Sequence, residues 1–310
     1  SSFLSLCIGM SLGLLLVFIV LDDYQRLGKT MLRFSPHLAI AEKTREIVQF
    51  LGNDLRLSGY LGPRTRDPSC PIYRQLDPLR HAWLRQDRAV FGCASIERCG
   101  VSLGAGAMAR LKAHSPIIII YNIPKAIQRL SQVMDGPSGV MKLEDQTTLR
   151  AGSVVLVSDG LASDFFIASA VQGRILFHAQ TPYTNRSSFL SKAYPKGAEV
   201  VELQTVAYYL GLPSRSSKDH NTFSLYRDDQ CHEVEEITEG IVGMKLEYAV
   251  LEPAKGLRFA AADQLLEKDW PWVSGVRLHI DFHQYPSWRY DFAIRNGPRA
   301  YRDFDSDKPE

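Results

Sequence analysis

The sequence predicts an α+β protein, in which one long N-terminal α-helix precedes a large, mostly antiparallel β-sheet head. Three observations predict it. Residues Ser1 to Leu21 carry no charge, and apolar positions then recur at spacings of three and four as far as Gly59. Beyond about residue 115, runs of β-branched and aromatic residues dominate.

The first element reads FLSLCIGMSLGLLLVFIVL from Phe3, close to the ~20 apolar residues that cross a bilayer core. A secretory signal would carry a basic leader, a shorter apolar core and a small-residue cleavage site, and none is present. The run therefore reads as a retained membrane helix over residues 3–21, whose short basic leader has been removed. A helix apolar on all sides must be shielded by lipid or by similar helices. Gly9, Ser11 and Gly13 are small enough to let neighbouring helix backbones approach.

After Leu21 the pattern turns amphipathic. Tyr24, Leu27, Met31, Phe34, Leu38, Ile47, Leu51 and Leu55 alternate with charged residues at helical spacing. Pro36 should kink this helix, and Ser58-Gly59 should end it, because Gly takes the left-handed cap. About 58 residues at 1.5 Å each make a rod of about 85 Å. The expected organisation is a helix over 1–59, amphipathic over 22–59, and a globular head over 60–310.

Residues 60 to about 115 read as loop-rich. Ile117–Tyr121 is a fully apolar run, and Ser153–Ser158 follows a turn-like Arg-Ala-Gly. Val276, Leu278, Ile280 and Phe282 alternate with Arg277, His279, Asp281 and His283, the pattern of a half-solvated antiparallel strand. A short helix is expected around Val234–Val242.

Composition is that of a globular protein, 45% hydrophobic and 23% charged, with a formal net charge of +2. No basic block occurs, so nucleic acid is not an expected partner. Of five cysteines, Cys7 lies in the apolar run, while Cys70, Cys93, Cys99 and Cys231 fall in the head. Four thiols in an exported domain allow three pairings. The preferred one joins Cys93 to Cys99 across a short loop and Cys70 to Cys231, which implies an oxidising compartment. No CxxC spacing supports zinc.

Catalytic motifs are missing: there is no GxSxG, GxGxxG, Walker loop or HExxH. Asp159 and Asp164 read as turn formers. His279, Asp281 and His283 share a strand face that could grip a metal, but a plain polar face is the expected reading. No cofactor, no metal and no enzymatic activity are expected. Trp270, Trp272, Tyr285, Trp288, Tyr290 and Tyr301 form an aromatic-rich C-terminal region suited to core packing or to a partner surface.

Four stretches carry a resemblance to a known family. They are the apolar start, registered on Leu12-Gly13-Leu14-Leu15-Leu16; FLGNDLRLSGYLG (Phe50–Gly62); SLYRDDQ (Ser224–Gln230) with EITEGIVGMKLEYAV (Glu236–Val250); and FAIRNGP (Phe292–Pro298). In these the chain resembles the minor pilins of type IV pili, of the PilW type, which are similar to the GspJ-type pseudopilins of type II secretion.

The resemblance implies a ladle-shaped, non-catalytic protein with a helical handle and a β-sheet head. It would be held in the bacterial inner membrane with its head in the periplasm, then cut and methylated at Ser1. From there it would pass to the extracellular pilus tip. Its implied partners are other minor pilins, the major pilin, the inner-membrane assembly platform and a large PilY-type tip adhesin. Phe3, Ser5, Gly9, Ser11 and Gly13 would lie in the helix-bundle core. Ser5 stands where the family carries Glu. A carboxylate in lipid costs about 3 kcal/mol unless paired, and the topmost subunit has no neighbouring amine to pair with. Ser5 therefore points to a position at or near the extreme tip. The alternatives are a type II secretion pseudopilin and a membrane-tethered periplasmic adhesin.

Overall fold

The structure is a computed structural model that describes residues 17–18, 40–63, 72–74, 88–99, 103, 105–180, 185–214, 222–229, 234–252, 256–283, 285 and 287–296. The chain divides into two compact units, Ser1–Ile47 and Val48–Glu310. In the first, residues 40–47 are helical, and the Thr44 hydroxyl donates to the Ile40 carbonyl at 2.7 Å.

The second unit starts with a helix over residues 48–57 (α1) and is otherwise dominated by strands. Its hub is β9 (Glu199–Gly211), whose one edge pairs with β3 (Ile117–Arg129). The other edge pairs first with β5 (Val154–Ser158) and then with β10 (Phe223–Asp228). From β10 the sheet runs antiparallel through β11 (Val234–Glu252) and β13 (Val273–Phe282) to β14 (Trp288–Ala293). In the other direction β5 leads to β6 (Ser163–Ile167) and then to β1 (Ile72–Arg74), which pairs with β6 in parallel. β2 (Val90–Cys93) extends β3, and β12 (Gly256–Ala260) pairs with the end of β11. A separate small sheet joins β4 (Met141–Lys142), β8 (Ile175–Phe177) and β7 (Ala170–Gln172).

Side-chain pattern explains the strands. Ile117–Tyr121 is buried throughout because both sheet faces are covered there. Ile117, Ile119 and Tyr121 join a core cluster with Cys93, Cys99, Ala107, Tyr209 and Tyr226. β13 shows the alternation that its sequence predicts. Val276, Leu278, Ile280 and Phe282 are buried, while Arg277 and His279 are half-buried and Asp281 is exposed.

The expected α+β ladle is corrected here. The described residues are 48% strand and 17% helical, and among those of the second unit there are only short helices, such as α2 (Ala105–Arg110). Among the described residues no helix is long and apolar enough to cross a membrane. The helical spacing read through 22–59 is realised over 40–47 and 48–57. The residues that follow are β-branched and aromatic, and they bury themselves by pairing edge to edge rather than by packing helices. Residues 3–16 and 19–21 of the apolar run and residues 22–39 of the amphipathic part, Pro36 among them, lie outside the described residues.

A second correction concerns Val234–Val242, which belong to the 19-residue strand β11. Val234, Glu235, Glu236, Thr238, Glu239 and Ile241 are register partners of β10, so a neighbouring strand overrides the local helical spacing. The helix end, in contrast, is local: α1 stops at residue 57, and Gly59 adopts φ +67°.

Two glycines separate packing from conformation. A Cβ on Gly92 would fall inside the fully buried Tyr248 phenol, whereas one on Gly106, within α2, meets nothing within 4 Å. Gly92→Ala should lose about 1–3 kcal/mol in urea unfolding, and Gly106→Ala should gain about 0.5–1 kcal/mol. Equal effects at the two positions would refute this account.

Candidate functional site

Helix α1 lies on the sheet with Leu51, Asp54 and Leu55 buried and with Gln49, Asn53 and Arg56 exposed. This is the 3–4 spacing of an amphipathic helix, except that a carboxylate occupies one inward position. Asp54 Oδ2 accepts the Tyr208 hydroxyl at 2.6 Å and Arg227 Nε at 2.8 Å. The side chains are 8% (Asp54) and 17% (Arg227) exposed, so the pair is largely out of water. Burial works against a charged guanidinium at Arg227, but the hydrogen bond and charge of Asp54 outweigh it and hold the pKa above its usual range. Burial, then the Asp54 charge, push the Tyr208 phenol up and keep it a hydrogen-bond donor.

The end of the helix is closed by three further contacts. Asn296 Nδ2 donates to the Ser58 carbonyl at 2.9 Å, one of the carbonyls that a helix leaves without an internal partner. The Gly59 and Tyr60 amides donate to the Tyr121 and Asn122 carbonyls at 2.9 and 3.0 Å. The Tyr60 hydroxyl reaches Glu199 Oε2 at 2.8 Å. On the flank, Gly52 allows the Phe292 ring to approach, since a Cβ there would stand 3.1 Å from it.

The stretches Phe50–Gly62, Ser224–Gln230 and Phe292–Pro298 therefore supply Asp54, Gly59, Tyr60, Arg227, Phe292 and Asn296 to one junction. Tyr208 also belongs there. It stands 154 positions from Asp54, and no local spacing announces it. Glu236–Val250 serves elsewhere: its Tyr248 packs edge-on against Trp270, at 4.9 Å between ring centroids.

A groove of about 950 Å³ borders α1, with Phe50, Asn53, Arg56, Lys125, Gln204 and Phe292 among its lining residues. Asp54 and Arg227 also line it. The Asp54 carboxylate is committed to Arg227 and Tyr208, so it anchors a helix instead of presenting a base to the groove.

The other sequence candidates are dispersed. Cys93 and Cys99 are bridged, with Cα atoms 5.2 Å apart, and both are buried. Cys70 and Cys231 lie outside the described residues, as do Ser1, Phe3, Ser5, Gly9, Ser11 and Gly13. Asp159 is a turn former: its Oδ1 accepts the Leu161 and Ala162 amides at 3.0 and 3.1 Å. Asp164 is not. It is fully buried in β6, where its Oδ2 accepts the Ser191 amide at 3.0 Å and the Tyr194 hydroxyl at 2.7 Å.

His279 lies 3.4 Å from Glu247, within a charged face that also holds Lys245, Arg277 and Asp291. Among the described residues no group of three His, Cys, Asp or Glu could hold a metal. The aromatics divide between core and surface. Trp270 is buried against Phe91 and Tyr248, while Trp288, Tyr290 and Phe292 line β14, each half-buried. Tyr301 lies outside the described residues.

No protein-family model, no curated protein and no solved structure matches the chain. The likeness to minor pilins thus rests on the four quoted stretches.

Removing one member of a buried ion pair leaves the other charge uncompensated, at a cost of about 3–5 kcal/mol. Asp54→Ala should lose that much in denaturant unfolding, and Tyr208→Phe about 1 kcal/mol. A loss under about 1 kcal/mol for Asp54→Ala would show that the pair does not hold the helix.

Proposed function

We propose that this chain is a non-catalytic subunit of a type IV pilus, a minor pilin that primes assembly and takes part in the tip. One observation carries the reading. Three of the segments that resemble minor pilins, Phe50–Gly62, Ser224–Gln230 and Phe292–Pro298, meet at α1, and the junction they build is a clamp between a helix end and a sheet. Residues used in that way transmit position, which an assembly subunit needs. The uncharged start of the chain adds support, because such a segment is stable only in lipid or among similar helices. Ser5 supports a position at or near the extreme tip on the charge argument above. Its partners under this reading are the other minor pilins, the major pilin, the assembly platform and a large tip adhesin.

Immunogold labelling of sheared filaments tests the proposal, and label confined to one filament end is expected. Protein that stays wholly in the membrane fraction would sink it and favour a tethered periplasmic binding protein. Ser5→Glu should leave tip incorporation unchanged or reduced. Improved incorporation along the shaft would remove the tip assignment.

A further inference from the structure

We propose that the outer edge of β14 pairs with the same edge of a second copy of this chain, as a two-fold sheet extension centred on Tyr290. The pairing does not depend on the filament reading. Among the described residues β14 pairs with β13 alone and closes one end of the strand order. The Ile294 amide donates to the Ser274 carbonyl at 2.9 Å, and the register pairs Val276 with Phe292 and Leu278 with Tyr290. In an antiparallel ladder backbone groups alternate in direction. Those of Trp288, Tyr290 and Phe292 therefore point at β13, and those of Arg289, Asp291 and Ala293 point away from it. Such a row of donors and acceptors is matched in full by another extended strand.

Side chains then select which strand. Outward residues must face outward residues, so a symmetric pairing of this short run can centre on Arg289, Tyr290 or Asp291. Centring on Arg289 opposes two guanidiniums, and centring on Asp291 opposes two carboxylates; like charges directly opposite are destabilising. Centring on Tyr290 places Arg289 of each copy across from Asp291 of the other. It also sets Trp288 of each copy across from Phe292 of the other, and the two Tyr290 side by side. Both Arg289 and Asp291 are exposed.

The aromatic row is already ordered. The Trp288 and Tyr290 rings lie 6.5 Å apart and 6° from parallel, and Tyr290 and Phe292 lie 6.4 Å apart. Pairing would extend this row into one continuous six-ring face. Pro286 and Pro298 bracket the run in sequence, and a proline cannot donate to a ladder, which restricts the pairing to this short window.

The test uses the full chain in detergent micelles. The two Tyr290 form a non-hydrogen-bonded pair, whose Cα atoms stand about 4.5 Å apart, within disulfide reach. Tyr290→Cys should give a covalent dimer under mild oxidation, well above the wild-type level. Arg289→Cys, two residues out of register with its own copy, should not. In sedimentation equilibrium, Arg289→Glu should weaken dimerisation by about tenfold or more, and R289E/D291R should restore it. The proposal is overturned if Tyr290→Cys crosslinks no better than Arg289→Cys, or if the chain is monomeric. It is equally overturned if Arg289→Glu leaves the dimer constant unchanged.

Discussion

The carboxylate of Asp54 has been taken out of water, and everything around α1 is arranged by that fact. A buried charge is tolerable only with a counter-charge and with its lone pairs filled. Arg227 and Tyr208 meet both needs from two adjacent strands, β10 and β9. Apolar contacts made by Leu51 and Leu55 are non-directional and would accept a rotated or shifted helix. The ion pair would not, because a few ångströms of slip leave two unpaired charges. We read the pair as a device for register more than for net stability, since a well-packed apolar replacement is often neutral or better.

Once the helix is registered, the end of α1 can be closed by groups that are far away in sequence. Asn296 caps Ser58, and Gly59 and Tyr60 continue as hydrogen-bond partners of Tyr121 and Asn122, where the register of β3 against β9 shifts. Burial of large tyrosines serves the same organisation on the sheet itself. Tyr208 and Tyr209 are neighbours on β9 and point to opposite faces, one to Asp54 and the other onto Tyr226 at 5.7 Å. The strand is thus locked from both sides.

The charged face of β11, β13 and β14 is a different kind of surface. Glu247 accepts from Lys245 at 2.8 Å, lies near His279, and is flanked by Arg277, which forks onto Asp291 at 2.7 and 2.9 Å. Exposed pairs of this kind contribute little each, and their role is to keep one face wet while the aromatic face stays apolar. The two faces of β14 therefore have opposite chemistry, an arrangement that follows from the period of two along the strand.

The sequence by itself determined what is local. The alternation in Val276–Phe282, the two-sided burial of Ile117–Tyr121 and the helix stop before Gly59 depend on side-chain period and on one backbone conformation, which travel with the residues. Only the tertiary structure decided the rest. Val234–Val242 became strand because β10 lies alongside, and the ladle expected from a long helical pattern gave way to a sheet-dominated unit. Asp164 left its expected turn to become a buried acceptor. Asp54 found Arg227 across 173 positions of chain and Tyr208 across 154. Such meetings follow from how strands are ordered in the sheet, and no window of the sequence contains both partners.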